Sequence, residues 1–364
     1  MNKRLIKDRL SHSFHFYAPG KLNKISDVSG VKVGHYTLKN KALNTGITVV
    51  MPSQANIFNK KLAASVYVAN AFGKFVGSTQ VNELGNLETP IALTNTLAVN
   101  QVATFLKDYV AAKNPDALSI NPVVGEINDS QMNDIRKVQF TYKNFLYAVK
   151  NTIKDLAEGS VGAGAGAHCL GYKGGIGSSS KIVTKNVSGL NRDYIVGVLV
   201  LTNFGGVLTI KGIPVGHQDK KFPFKEDFDQ EKGSCIIVVA TNAPLLPIQL
   251  QRLAKRAAWA LGKVGSIFSN GSGDYSIAFS TNNANIMSQK HKTEQTISYI
   301  PNDKLSHLFW ATQEAVEVAV YSALLHAEPL KYKNKLWETP DFNSIMKSLN
   351  LITKFQRQRT NQLV

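Results

Sequence analysis

The chain has 364 residues and carries 42 lysines and arginines against 25 aspartates and glutamates, a formal net charge of +17. Its length allows one large domain or two, and its hydrophobic content of 43% is ordinary for a globular protein. The basic residues are scattered and no nucleic-acid motif accompanies them, so no nucleic-acid partner is expected. The two cysteines, Cys169 and Cys235, exclude a disulfide framework and are expected to be small buried residues.

Residues 1–24 are predicted to form a basic, poorly ordered extension, and residues 25–364 a single catalytic domain. The extension lacks the apolar run of about 7 to 15 residues that a signal peptide requires, so a cytoplasmic location is expected. A later apolar stretch, residues 194–210, is interrupted by Asn203 and by paired glycines. That interruption favours strands over a membrane span.

The first part of the domain is predicted to be rich in strands, with sheet over residues 46–80 and helices over residues 97–112 and 142–158. His35 lies in a predicted strand segment and is expected to be a structural side chain, not a general base. The polar run at residues 93–96, Leu-Thr-Asn-Thr, precedes a predicted helix, which its hydroxyls can cap.

A dense polar cluster follows the next apolar run, within residues 122–136. It includes Glu126, Asn128 and Asp129, and residues of these types often only build turns. The residues alone therefore leave open whether this segment binds a ligand.

The glycine-rich segment that begins at Gly159 nominally matches a dinucleotide-binding fingerprint at Gly162, Gly164 and Ala167. It follows a predicted helix instead of a strand, and it lacks the downstream acid of a βαβ unit. We therefore reject that interpretation and expect tight turns and close backbone packing. No set of His, Cys, Asp and Glu residues has metal-ligand spacing, so neither a metal nor a cofactor is predicted.

A strong strand pattern over residues 193–201 leads into Asn203. A carboxamide at a strand end can donate a hydrogen bond to an oxyanion, although an asparagine before glycines can also simply form a turn. The charged segment 217–232 is expected to be an exposed linker that delivers Gly233.

The central stretch of the chain is residues 230–276, where Gly233 precedes a buried strand that starts at Ser234. An Asn-Ala-Pro turn then leads into an arginine-rich helix that ends near Gly262 or Gly265. The following turn, Asn-Gly-Ser-Gly-Asp at residues 270–274, can place a hydroxyl and a carboxylate beside the start of the first strand.

Taken alone, the Gly233-Ser234 dipeptide is most often a plain junction between a loop and a strand, but these residue types also allow a self-cleaving bond. Gly233 has no Cβ, so its carbonyl can be approached closely by the Ser234 hydroxyl. Attack at that carbonyl and an N-to-O acyl shift give an ester that water hydrolyses. The freed α-amine, with a reference pKa of about 7.7 to 8.0, can then accept the proton of its own hydroxyl.

After this stretch, residues 306–327 predict a long amphipathic helix, and residues 332–364 a basic, partly helical tail. No chemistry is assigned to the tail.

Several motifs together resemble the family of the L-aminopeptidase/D-amidase-esterase and the β-peptidyl aminopeptidases. They are Gly-Ser at a strand start, Ala-Pro-Leu-Leu-Pro before the arginine-rich helix, Asn-Gly-Ser-Gly-Asp and Ala-Phe-Ser-Thr, within a similarity spanning residues 27–325. Members of that family cut themselves before a serine, which becomes both the new N-terminus and the nucleophile. The resemblance implies an αββα sandwich, in which two central sheets are covered by helices on both outer faces.

The resemblance also implies roles for individual residues. Ser234 becomes the nucleophile and its amine the base, while Ser272 and Asp274 orient and polarise that pair. Asn203 matches a position that donates to the oxyanion. Residues 1–233 become the larger chain and residues 234–364 the smaller.

The polar cluster matches the segment that lines the family's substrate cleft. Glu126 is expected to hold the free amino group of the substrate by a charge-assisted hydrogen bond. Asn128 stands where some relatives have an oxyanion-stabilising tyrosine, and its side chain can still donate. The Leu-Thr-Asn-Thr run resembles a family motif close to the active site.

The expected function is a self-processing N-terminal-serine aminopeptidase or amidase acting on small peptides, amides or esters with a free amino terminus. By the same resemblance it is expected to assemble as a tetramer of processed heterodimers. Two alternatives are an acyltransferase of the ornithine acetyltransferase type, whose nucleophile is threonine, and a non-enzymatic descendant of the fold.

Overall fold

The computed structural model describes residues 2–12, 15–217, 219, 221, 233–288 and 294–349. The greater part of the predicted linker, residues 222–232, and the end of the predicted tail, residues 350–364, lie outside the described residues. The helices are α1 (Lys3–His12), α2 (Ser78–Leu84), α3 (Val99–Ala111), α4 (Tyr142–Lys150), α5 (Lys185–Ser188), α6 (Pro247–Lys263) and α7 (Ser306–His326), and residues 342–349 are also helical.

The strands alternate with these helices along the chain. They are β1 (Lys32–Lys39), β2 (Asn44–Met51), β3 (Lys60–Ala71), β4 (Phe75–Val76), β5 (Asn86–Leu87), β6 (Ile91–Asn95), β7 (Val123–Ile127), β8 (His168–Cys169), β9 (Tyr172–Lys173), β10 (Ile176–Val183), β11 (Tyr194–Asn203), β12 (Ser234–Thr241), β13 (Gly273–Ser280), β14 (Met287–Ser288), β15 (Leu330–Tyr332) and β16 (Lys335–Trp337).

Two mixed sheets form the centre of the molecule. The five-stranded sheet has the order β1-β2-β6-β7-β4, and the seven-stranded sheet has the order β10-β11-β12-β13-β3-β14, with β5 also pairing with β3. Most neighbours are antiparallel, but β12 and β13 are parallel, as are β6 and β7. A parallel pair needs a crossover connection, and α6 supplies it between β12 and β13.

Alternate residues of β12 face two different cores, as the two-residue period of a strand requires. Ile236 and Val238 pack between the two sheets, while Ile237 and Val239 face the layer that contains α6 and α7. A third core lies between the five-stranded sheet and helices α3 and α4. The layers therefore follow in the order helix, sheet, sheet, helix, and the predicted αββα sandwich is confirmed.

Two helix predictions need correction. Helix α4 ends at Lys150 and not at residue 158, because Ile153 leaves the helix and pairs with Val33 at the edge of the five-stranded sheet. Helix α7 is present as predicted but is buried around nearly its whole circumference. It packs against the seven-stranded sheet, α6 and α1, so an amphipathic pattern is not required.

The expectation that residues 1–24 are poorly ordered is wrong for the described part of that segment. Helix α1 buries Ile6 and Leu10, and the Lys7 ammonium lies 2.9 Å from a carboxylate oxygen of Glu158, with both side chains buried. Farther along, the Lys181 ammonium donates to the carbonyl of Tyr17 at 2.9 Å. Buried charges need such partners, so these contacts fix the segment to the sheet.

The predicted C-terminal tail is partly structured. Strands β15 and β16 form a hairpin, and the helix at residues 342–349 buries Phe342, Ile345 and Met346. In the described part of the chain, no helix is long and apolar enough to cross a membrane.

We expect Lys7→Met to lower the free energy of unfolding by about 3 kcal/mol, because it removes the nearest cation from the buried Glu158 carboxylate and leaves the more distant Lys24 ammonium, at 3.9 Å. Lys3→Met changes an exposed lysine on the same helix and should stay within about 0.5 kcal/mol of the wild type. Denaturant unfolding of both variants measures the difference. Equal values for the two variants would contradict the docking of α1 through this ion pair.

Candidate active site

Strand register brings the predicted site residues to one end of the seven-stranded sheet. Ser234, the first residue of β12, is paired with Asn203 on β11 and with Gly273 on β13. Cys235 is paired with Asp274, so this carboxylate lies one residue farther along the neighbouring strand. The same end of the sheet includes the last residues of β3, since Ala71 is paired with Gly273.

The bond between Gly233 and Ser234 is buried at this end of the sheet. The Ser234 hydroxyl donates to the carbonyl oxygen of Gly233, so the hydroxyl lies directly beside that carbonyl group. The same carbonyl accepts a second hydrogen bond from the backbone N–H of Gly273, at 3.3 Å. A Cβ at position 233 would lie 2.9 Å from the Ser272 hydroxyl oxygen, so only glycine fits there without displacement.

Asp274 and Ser272 are buried beneath the nucleophile, and each is 1% exposed. Within the described residues, neither carboxyl oxygen of Asp274 has a hydrogen-bond partner. The hydroxyl oxygen of Ser272 has none either. Burial raises the pKa of Asp274 to about 6, and the nearby Ser272 hydroxyl acts in the opposite direction. Ionisation of such a buried acid lowers the stability of the folded protein. Acids with pKa values raised in this way are common at catalytic sites.

The carboxamide of Asn203 is fully buried and its orientation is fixed from both ends. Its oxygen accepts from the backbone N–H of His168 at 3.2 Å, and its nitrogen donates to the carbonyl of Asn128 at 2.9 Å. His168 belongs to the glycine-rich passage, which therefore helps to position Asn203. The amide nitrogen carries two hydrogens, so one remains for a ligand.

Glu126 is the next-to-last residue of β7 and is 3% exposed. One oxygen, Oε1, accepts from the backbone N–H of Lys74 at 2.9 Å, while Oε2 is buried without a hydrogen-bond partner among the described residues. A Cβ at Gly73 would lie 3.0 Å from Oε1, so the glycine allows this close approach. Burial raises the pKa of Glu126, and the Lys74 backbone N–H and ammonium oppose that change.

Glu126 and Ser234 both line a cavity of about 310 Å³, which we call the cleft. Larger cavities of about 490 and 580 Å³ lie elsewhere, and none of the predicted site residues lines them. The cleft is lined by Ala71, Phe72, Gly73, Lys74, Thr96, Glu126, Asn128, Gly233, Ser234 and Gly271.

The structure separates the predicted residues into two groups. Ser234, Gly233, Glu126 and Asn128 line the cleft, while Asn203, Ser272 and Asp274 lie buried at the same end of the sheet. The Asn128 side chain accepts from the backbone N–H of Ser130 at 3.1 Å, which is the turn-forming contact expected of an asparagine.

The polar run before α3 does not cap the helix through its hydroxyls, because no side chain in the described part of the chain bonds the first N–H groups of α3; the asparagine of the run forms the turn just before the helix. The carboxamide oxygen of Asn95, and not a hydroxyl, accepts from the N–H groups of Leu97 and Ala98, each at 3.1 Å. Thr96 instead lines the cleft, where its hydroxyl oxygen accepts from the Lys74 ammonium at 2.8 Å.

Sequence reasoning missed Lys74, together with the neighbouring residues of the turn after β3. One lysine among 364 residues of basic composition carries no signal of its own. Only its position could have pointed to Lys74, because Gly73 and Lys74 follow an apolar run that forms a strand, and the end of that strand reaches the site. His35, in contrast, is structural as predicted, since it bonds Thr48 and the carbonyl of Ala157.

Comparison with protein families gives one match that covers most of the chain. Residues 23–336 match the model of peptidase family S58. The chain belongs to peptidase family S58. The similarity proposed from the Gly-Ser, Asn-Gly-Ser-Gly-Asp and associated motifs is thereby confirmed.

Individual relatives agree with that assignment. The chain is 36% identical, over 340 residues, to the β-peptidyl aminopeptidase BapA of Sphingosinicella microcystinivorans, a match covering 86% of this chain and 83% of that protein. The solved β-aminopeptidase from a Burkholderia species is 33% identical, with a TM-score of 0.85 and coverage of 96% and 98% of the two chains.

A third relative bears on the fold class. The L-aminopeptidase D-Ala-esterase/amidase of Ochrobactrum anthropi is 29% identical, has a TM-score of 0.83 and covers 93% of this S58 chain and 96% of its own. Its structure is described as a variant of the Ntn hydrolase fold. The predicted fold, and the predicted function as a serine aminopeptidase or amidase with an N-terminal nucleophile, are confirmed for this S58 member at the level of its family.

We expect Asp274→Asn to change how the free energy of unfolding depends on pH. Because burial raises the pKa of Asp274 from 3.8 to about 6, the wild type keeps its full stability below about pH 4 and loses stability as the pH rises through 6. The free energy of unfolding falls by about 1.36 kcal/mol for each pH unit between the two pKa values, and so by roughly 3 kcal/mol in total. The Asp274→Asn variant should not show this decrease.

Denaturant unfolding across this pH range measures the effect. Both proteins should carry Ser234→Ala, so that chain cleavage cannot differ between them. Stability curves that run parallel for the two proteins would show that the Asp274 carboxyl is not held in its neutral form.

Proposed function

We propose that this chain cleaves itself between Gly233 and Ser234 and then releases N-terminal residues from small peptides, amides or esters. The observation that carries the proposal is the contact between the Ser234 hydroxyl and the Gly233 carbonyl, at the mouth of a cleft that also holds Glu126. Nucleophile, scissile bond and a carboxylate for an amino group therefore meet in one place.

Self-cleavage proceeds by attack of the Ser234 hydroxyl oxygen on the Gly233 carbonyl carbon. The hydrogen bond from the Gly273 N–H favours negative charge on the carbonyl oxygen while the new C–O bond forms. The C–N bond then breaks, its nitrogen takes the hydroxyl proton, and an ester joins Gly233 to Ser234. Water hydrolyses that ester, which leaves a carboxylate on Gly233 and a free amine and hydroxyl on Ser234.

In the processed enzyme, the α-amine of Ser234 takes the proton of its own hydroxyl as the oxygen attacks the substrate carbonyl. The second amide hydrogen of Asn203 is suited to the developing oxyanion, because two hydrogen bonds already fix the carboxamide. Asp274 lies on the neighbouring strand and Ser272 directly precedes that strand; an ionised Asp274 carboxylate stabilises the protonated amine during the reaction.

Glu126 supplies the selectivity for a free amino terminus. Its Oε2 atom is buried in the cleft without a hydrogen-bond partner among the described residues, and an ammonium group satisfies such an oxygen. The relatives named above are β-peptidyl and L-aminopeptidases, which fits this reading. We also propose a cytoplasmic location and assembly into a tetramer of processed heterodimers.

Purified wild-type protein should run as two chains, residues 1–233 and 234–364, and Ser234→Ala should remain a single chain of 364 residues. Intact-mass measurement and N-terminal sequencing of the smaller chain identify the cut. Ser234→Thr, which retains a hydroxyl, is the matched control and should be processed more slowly but detectably. A fully active enzyme of full length would contradict the self-cleavage mechanism.

We expect Glu126→Gln to lower kcat/KM by about ten- to a hundredfold for substrates with a free amino group. A charge-assisted hydrogen bond contributes roughly 1.5 to 3 kcal/mol, and each 1.4 kcal/mol corresponds to a factor of ten. The glutamine oxygen can still accept the Lys74 N–H, so the turn is retained. N-acylated or simple ester substrates should be affected far less.

The comparison requires fully processed Glu126→Gln enzyme and both substrate classes. Equal losses for the two classes would remove Glu126 from the substrate-binding residues and assign it a bracing role. An added acyl acceptor in the same assays distinguishes hydrolysis from acyl transfer, since only a transferase forms an acceptor-dependent product.

A further inference from the structure

Lys74 is a cleft residue to which the proposed chemistry gives no role. Its ammonium lies 3.8 Å from Oε1 of Glu126 and donates to the hydroxyl oxygen of Thr96 at 2.8 Å. The side chain is 53% exposed, whereas the Glu126 side chain is 3% exposed. Lys74 is therefore a cation at the open side of a buried carboxylate, with a stem long enough to move between partners.

The charges that line the cleft are few. Among its described lining residues in the uncut chain, Glu126 is the one carboxylate and Lys74 the one cation, so these two side-chain charges balance each other. When a substrate ammonium binds to Glu126, two cations share one carboxylate. The substrate ammonium and the Lys74 ammonium then repel each other, which disfavours binding. A negative charge on the substrate compensates for the second positive charge.

We propose that Lys74 binds a carboxylate on the same residue that carries the substrate's ammonium. This inference rests on the proposed function, and it assigns acidic N-terminal residues, aspartyl above all, as the preferred substrate class. In such a residue the side-chain carboxylate and the ammonium are only a few bonds apart. An ammonium bound to Glu126 therefore places the carboxylate in the half of the cleft that holds Glu126 and Lys74. The C-terminal carboxylate of a dipeptide lies on the other side of the scissile bond.

The backbone of the turn keeps this arrangement in place. The Lys74 N–H donates to Oε1 of Glu126, and the Gly73 carbonyl accepts from the Tyr275 hydroxyl, both at 2.9 Å. These contacts do not involve the Lys74 side chain. Lys74→Met therefore removes the charge while the turn and the Glu126 carboxylate stay where they are.

The test compares aspartyl and asparaginyl p-nitroanilides, which differ in charge but hardly in shape and carry no C-terminal carboxylate. Wild-type enzyme should give a higher kcat/KM for the aspartyl compound. In Lys74→Met the ratio of aspartyl to asparaginyl kcat/KM should fall about tenfold. This factor is at the low end of the range for a charge-assisted hydrogen bond, because the Lys74 side chain is about half exposed and solvent weakens the interaction. Lys74→Arg should retain most of the ratio.

The asparaginyl substrate serves as an internal control. Any change that the loss of the Lys74 ammonium causes at Glu126 affects both compounds alike, so the ratio of their kcat/KM values reports the charge at position 74. In the wild type, higher ionic strength should lower the aspartyl-to-asparaginyl ratio, which gives a second readout that needs no variant.

An unchanged ratio in processed Lys74→Met, or a wild-type preference for the asparaginyl compound, would overturn the assignment of Lys74. These outcomes are distinct from a failure of the proposed function. That failure would appear as a wild-type enzyme that hydrolyses neither anilide and no other substrate with a free amine.

Discussion

The structure depends on how three strands of the seven-stranded sheet are aligned. Antiparallel pairing of β11 with β12 sets Asn203 opposite Ser234, and parallel pairing of β12 with β13 sets Gly273 beside it. A shift of one residue would turn every side chain of β12 to the other face. Because β12 packs in cores on both faces, the register is strongly constrained, and the position of Ser234 follows from it.

The site is polar where the surrounding layers are apolar. Both carboxyl oxygens of Asp274, Oε2 of Glu126 and the hydroxyl of Ser272 are buried without hydrogen-bond partners within the described residues, an arrangement that costs free energy. The large cores on both sides of the sheet offset that cost. Two groups can donate hydrogen bonds to these atoms: a substrate ammonium, and the α-amine that cleavage would create at Ser234. The site is therefore better matched to a processed chain with bound substrate than to the uncut chain alone.

Much of the fold and of the site was predictable, because local patterns carry it. The apolar run after Ser234, the arginine-rich helix and the Asn-Gly-Ser-Gly-Asp turn give strand, helix and strand, and the returning strand brings Asp274 beside Cys235. Tertiary contacts decided the rest. The order of residues 3–12 depends on a buried partner, Glu158, that is distant in sequence, and the place of Lys74 depends on a turn packed against β7.

The order of strands in the seven-stranded sheet bears on what happens to the molecule after the proposed cut. Strands β10, β11 and β3 precede Ser234, while β12, β13 and β14 belong to the part that follows, and the two sets are interleaved in one sheet. The N-terminal segment adds a further tie, since the N–H groups of Phe16 and Tyr17 donate to Glu314 on α7. The two products are thus parts of one sheet and cannot separate without unfolding. Unfolding then releases two molecules from one, so the melting temperature of the processed enzyme becomes a function of its concentration, while that of the uncut chain does not.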